Sequence, residues 1–165
     1  MRTIMILACT CMVVCPACHK PEVQMTQLQI RQMQTRAYGI KDPKRAIKAV
    51  LNVLQDEAFI PRQVNLDVGF VHAVKEMDIE DGGEKFWAKF WHGSRDSRWR
   101  KNSVVECAAN VTEVSDGMRL RVNFQVKVMN NKGEVVSVET IEDPGFYQAF
   151  LTKVDKGVFI EKQGL

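Results

Sequence analysis

From Met118 to Met129 the chain alternates without a break. Met118, Leu120, Val122, Phe124, Val126 and Val128 are apolar, and Arg119, Arg121, Asn123, Gln125 and Lys127 between them are polar. A period of two sends successive side chains to opposite faces of a strand, one dry and one wet. A slip of one residue would turn the apolar set into water. Each such side chain is worth about 1.5 to 3 kcal/mol when fully buried, so the register is strongly specified. Val104 to Val114 before it and Glu134 to Ile141 after it also have strand character. They connect through Ser115-Asp116-Gly117 and Asn130-Asn131-Lys132-Gly133, both good hairpin turns. The three segments predict an antiparallel meander. Cys107 falls in phase with Val105, Ala109 and Val111, as a small hydrophobe on the inner face.

Upstream, Leu28 and Ile30 alternate, and Met33, Thr35 and Ala37 alternate one residue out of phase with them. This predicts a first strand with a bulge near Arg31 and Gln32, ended by Tyr38-Gly39. Asp42-Pro43 then opens a helix: the carboxylate caps free amide groups, and proline at the first helical position gives up no needed donor. Ile47, Val50, Leu51, Leu54 and Ala58 form its apolar stripe, with Lys44, Arg45, Lys48, Asn52 and Gln55 opposite. Phe59 to Leu66 and Val68 to Met77 read as two strands around the turn Asn65 to Asp67, with Gly69 at a bulge or close approach. His72, in phase with Phe70 and Val74, reads as a core or edge histidine with a satisfied hydrogen bond. Asp143-Pro144 repeats the helix start. Tyr147, Phe150, Leu151, Val154 and Val158 give that helix its apolar face, with Gly157 a weak point. The expected class is α+β: an antiparallel sheet with two main helices on one face, in the order β-α-β-β-insert-β-β-β-α.

The insert, Asp78 to Asn102, is the least regular stretch. After the turn signal Asp81-Gly82-Gly83, Phe86, Trp87, Phe90 and Trp91 make one stripe of a short helix. Arg95, Arg98, Arg100 and Lys101 then surround Trp99. An aromatic helix covering the core beside a solvated basic loop accounts for this pattern. Docking on a membrane interface or a protein partner accounts for it too, and stacking on nucleic acid is a third use of such residues.

The amino terminus has a different character. Met1-Arg2-Thr3 precedes the apolar run Ile4 to Val14, followed by Cys15-Pro16-Ala17-Cys18-His19-Lys20. That is the layout of an export signal, and the run is well short of the roughly 20 residues that span a bilayer. The segment resembles a bacterial lipoprotein signal, in which a small residue precedes a cysteine that is acylated and becomes the mature amino terminus. Ala17-Cys18 fits best, whereas Cys15-Pro16 stands where such signals usually carry aliphatic and small residues. The expected organisation is a signal peptide over 1–17, a tether over 18–27 from lipidated Cys18, and a single α+β domain over 28–165. His19 in second place resembles sorting to the outer membrane. Two other readings overlap. Cys15-Pro16-Ala17-Cys18-His19 matches the C-x-x-C-H haem attachment pattern, and its C-x-x-C part matches zinc or redox pairs.

The net charge of +3 does not argue for nucleic acid, and no such partner is expected. Four of the five cysteines lie in the first eighteen residues, so a disulfide framework within the domain is excluded. The sequence carries no G-x-S-x-G, phosphate loop, H-E-x-x-H or dinucleotide fingerprint. Glu106, Glu139 and Glu142 lie on or near strands as solvated side chains. No catalytic residue, metal ligand or cofactor is expected.

Val53-Leu54-Gln55-Asp56-Glu57-Ala58-Phe59, the following hairpin, the meander and Tyr147-Gln148-Ala149-Phe150-Leu151 together resemble the helix-grip domains of BamC-type envelope lipoproteins. The resemblance spans about Leu28 to Glu161. It implies a helix-grip fold and a non-catalytic role at an outer-membrane assembly. The single domain expected here, against the two domains and long disordered amino-terminal segment of that family, leaves another envelope or secretion complex equally suitable as partner.

The expectation is therefore a periplasm-facing outer-membrane lipoprotein that is a structural or interaction component of an envelope complex. Its oligomeric state is not specified by the sequence. The candidate contact residues are Phe86, Trp87, Trp91, Arg95, Arg98, Trp99 and Arg100 of the insert, with Arg119 and Arg121 on the wet face of the sheet. The alternatives are a module that holds a lipid or other amphiphile between sheet and helices, and a haem-attached protein.

Overall fold

A computed structural model describes residues 25–77, 103–130 and 132–163. In chain order these form α1 (Gln27–Met33), β1 (Thr35–Tyr38), α2 (Pro43–Asp56), β2 (Ile60–Asn65), β3 (Phe70–Met77), β4 (Ser103–Val114), β5 (Gly117–Met129), β6 (Val135–Thr140) and α3 (Pro144–Gln163). The strands make one antiparallel sheet in the order β1-β5-β4-β3-β2, with β6 also pairing β5. The protein is α+β, with its helices packed on the sheet.

The meander folds as its alternation requires. Met118, Leu120, Val122, Phe124 and Val126 are buried, and on β4 Val105, Cys107, Ala109 and Val111 face the same interior. Ile47, Val50 and Leu54 of α2 and Tyr147, Phe150, Leu151 and Val154 of α3 close that interior from the same side. Phe124 is its hub. The rings of Phe146 and Phe150 lie 4.9 Å from it edge to face, and those of Phe59 and Tyr147 lie 5.9 Å away. Burial pushes the Cys107 thiol far above its ordinary pKa, which keeps it protonated and inert.

The expected first strand is corrected. Its first half is α1, because Thr26 and Gln29 form a reciprocal capping box that satisfies the amide groups of a new helix. Only Thr35 to Tyr38 pairs, opposite Met118 to Arg121. The out-of-phase alternation marks a change from helix to strand, with Ile30 the one buried residue of the helix. The stripe of α2 is also shorter than its spacing suggests. The Ala58 N–H bonds to the Gln55 carbonyl and the Phe59 N–H to Leu54, which ends the helix at Asp56, with Ala58 in left-handed conformation.

Where β1 and β6 flank the same edge of β5, Val122 to Phe124 lie between them. The Val122 N–H donates to the Gln34 carbonyl (2.9 Å), the Phe124 carbonyl accepts from Ile141 N–H (2.9 Å), and the Phe124 N–H donates to the Tyr147 hydroxyl (3.2 Å). Gln34 Nε2 also donates to that hydroxyl, at 3.3 Å. Burial raises the Tyr147 phenol pKa, and these two donors oppose the shift without cancelling it.

Two glycines have assigned tasks. Gly69 has φ +73, and a Cβ there would lie 2.1 Å from the Val111 carbonyl oxygen, so it is a close approach of the β2–β3 turn to β4. Gly157 lies at the crossing of α3 over α2, where a Cβ would meet the Ala49 carbonyl at 3.4 Å.

Candidate functional site

Cross-strand register decides which residues share the face of the sheet turned away from the helices. On β5 that face carries Arg119, Arg121, Asn123, Gln125 and Lys127; their neighbours on β4 are Thr112, Asn110, Ala108, Glu106 and Val104. On β3 it carries Phe70, His72 and Val74, because Val71 and Ala73 take the interior positions. His72 shares a face with Phe70 and Val74 as expected, but that face is the open one and β3 is an inner strand, so it stands half-buried beside Glu106 and neither in the core nor at an edge.

One half of this face is electrostatically closed. Lys127 Nζ lies 2.8 Å from Glu106 Oε1, and His72 Nε2 lies 4.0 Å from the other carboxylate oxygen. Glu106 stands directly opposite Val74 and Gln125, so Lys127 and His72 both reach it along diagonals of the sheet. Next to this group, Asn123 Oδ1 accepts a hydrogen bond from Gln34 Nε2 at 3.3 Å.

The other half is open. Arg119 stands between Thr112 and Ala37, and Arg121 between Asn110 and Thr35. These neighbours are short and uncharged. Both arginines are exposed, and neither has an ion-pair partner among the described residues. Alternate residues of a strand are about 6.8 Å apart. Two guanidinium groups carried on the same face of one strand suit carboxylates or phosphates, which such groups bind bidentately.

The structure thus brings together two of the expected contact residues, Arg119 and Arg121. Phe86, Trp87, Trp91, Arg95, Arg98, Trp99 and Arg100 lie outside the described residues, as do Cys18 and the whole amino-terminal segment. The sequence reading did not single out the Glu106, Lys127 and His72 group. The β4–β5 hairpin turn carries a signal for the Glu106 to Lys127 diagonal, but His72 joins only through the β3–β4 register, which no short turn specifies. Among the described residues no group of His, Cys, Asp and Glu side chains is arranged to hold a metal ion, and no helix is long and apolar enough to cross a membrane. Comparison with known proteins finds no family model and no curated protein that matches this chain.

Proposed function

We propose that the protein is a non-catalytic component of a bacterial envelope assembly or secretion complex. It is anchored to the periplasmic face of the outer membrane through acylated Cys18, and its open sheet face meets a partner protein. The observation that carries the contact is the Arg119 and Arg121 pair, exposed among short neutral side chains. No ion pair with any of the described residues accounts for these two side chains. The anchor rests on the order of a short basic start, an apolar run and Ala17-Cys18. Several acyl chains give firm attachment where one binds only marginally. The helix-grip resemblance supports the same class of role.

An amphiphile held between sheet and helices has less support, because Phe124, Tyr147, Phe150 and Leu54 already fill that interior. The anchor is tested by the intact mass of protein extracted from membranes of its native host, beside a Cys18→Ser variant. A mass of Cys18 to Leu165 plus acyl chains, absent in the variant, is expected. A mass that retains Met1, or a Soret band, would overturn it.

A further inference from the structure

The sheet ends in three strands, β2 on one side and β1 and β6 on the other, and they are not equally protected. A free strand edge is a template for further pairing, and proteins blunt it with proline, cations, bulges or brevity. β2 carries Pro61, Arg62 and a register shift between Pro61 and Gln63, and β1 has only four residues. β6, Val135-Val136-Ser137-Val138-Glu139-Thr140, has no proline, lysine or arginine. Its one irregularity is a bulge at its start, where Val128 pairs with Ser137 but Met129 with Val135. Val135, Val136 and Val138 are 53, 67 and 51% exposed, among the most exposed large apolar residues described.

Which backbone groups are free follows from one bond. Ile141 N–H donates to the Phe124 carbonyl. Alternation along the strand then turns Glu139 and Ser137 toward β5 and leaves the N–H and C=O of Val138 and Thr140 at the open edge. We infer that β6 pairs antiparallel with β6 of a second copy of this chain, with the two-fold axis at Val138.

Charge and the bulge of β6 favour this register. With the axis at Val138, that residue exchanges both of its free hydrogen bonds with its symmetry mate. Glu139 falls opposite the mate's Ser137, and the Val136 and Thr140 side chains meet across the join. Of the two neighbouring registers that pair the free groups, the one with its axis at Glu139 sets two carboxylates directly opposite each other, which is unfavourable, and the one with its axis at Ser137 centres the pairing beside the bulge at Val136. The segment is thus self-complementary: Val138 meets its own copy, Val136 meets the β-branched Thr140 and the only charge meets a hydroxyl. A two-fold contact of this type is closed and stops at the dimer.

Sedimentation velocity of the full chain in mild detergent over rising protein concentration tests the pairing. The wild type is expected to show a reversible monomer–dimer equilibrium. Val138→Pro removes an N–H that points away from β5, and Val138→Lys places a cation on the edge while keeping the backbone. Each is expected to weaken dimerisation by about tenfold or more. Arg119→Glu with Arg121→Glu, on the sheet face, is expected to leave it unchanged. A wild type that stays monomeric at every concentration would overturn the inference. So would a dimer that survives Val138→Lys undiminished, and that variant decides the question if Val138→Pro fails to fold.

Discussion

The two faces of this sheet are made by the same strands from alternate residues, and they do different work. On the covered face Val122, Phe124 and Val126 meet two helices, and the Tyr147 hydroxyl and Gln34 serve the edge of β5 left between β1 and β6, whose opposite edge pairs with β4. On the open face Glu106 is matched by Lys127 and His72, whereas Arg119 and Arg121 are not matched by any described residue. Folding requires the first face. The arginines on the second have no ion-pair partner among the described residues, and that surplus is what supports the proposed contact.

The difference is broken most sharply at its hub. Phe124→Ala opens a cavity beside the rings of Phe59, Phe146, Tyr147 and Phe150 and is expected to destabilise by about 3 to 5 kcal/mol in chemical denaturation. Tyr147→Phe keeps the ring and removes the acceptor of the Phe124 N–H, with an expected loss of about 1 to 3 kcal/mol. The same phenol makes stability depend on alkaline pH. Its folded pKa lies above the ordinary 10.0, so the unfolded chain releases this proton first. Its contribution is complete below pH 10.0 and is lost as pH rises beyond it. Melts taken across that range are expected to fall less steeply in Tyr147→Phe than in the wild type. A change on the open face is smaller again. Lys127→Met removes one half-exposed ion pair, and its effect is expected to stay within about 1 kcal/mol.

Much of this division was legible in the sequence. The unbroken alternation of Met118 to Val128 assigns every residue of β5 to a face, and Asp42-Pro43 and Asp143-Pro144 mark both long helices at their first residues. α1 is not legible from periodicity, because seven residues hold too few turns to separate helix from strand; the signal that marks its start is the capping pattern Thr26-Gln27-Leu28-Gln29. Ala58 was drawn into the α2 stripe by spacing alone, since an alanine in left-handed conformation leaves no mark in hydropathy. On the candidate surface, Arg119 and Arg121 follow from phase. The Glu106 group depends on pairing across an insert of 25 residues, from 78 to 102, and only the folded register brings it together.

The most direct test of the account reads both faces at once. Arg119→Glu with Arg121→Glu is introduced into the native host, and the protein is examined for co-purifying envelope proteins and for its thermal melt. The account predicts that partners recovered with the wild type are lost while the melting temperature stays unchanged, because the two arginines belong to contact and not to folding. Undiminished recovery of the same partners, or a melt lowered as far as that of Phe124→Ala, would contradict it.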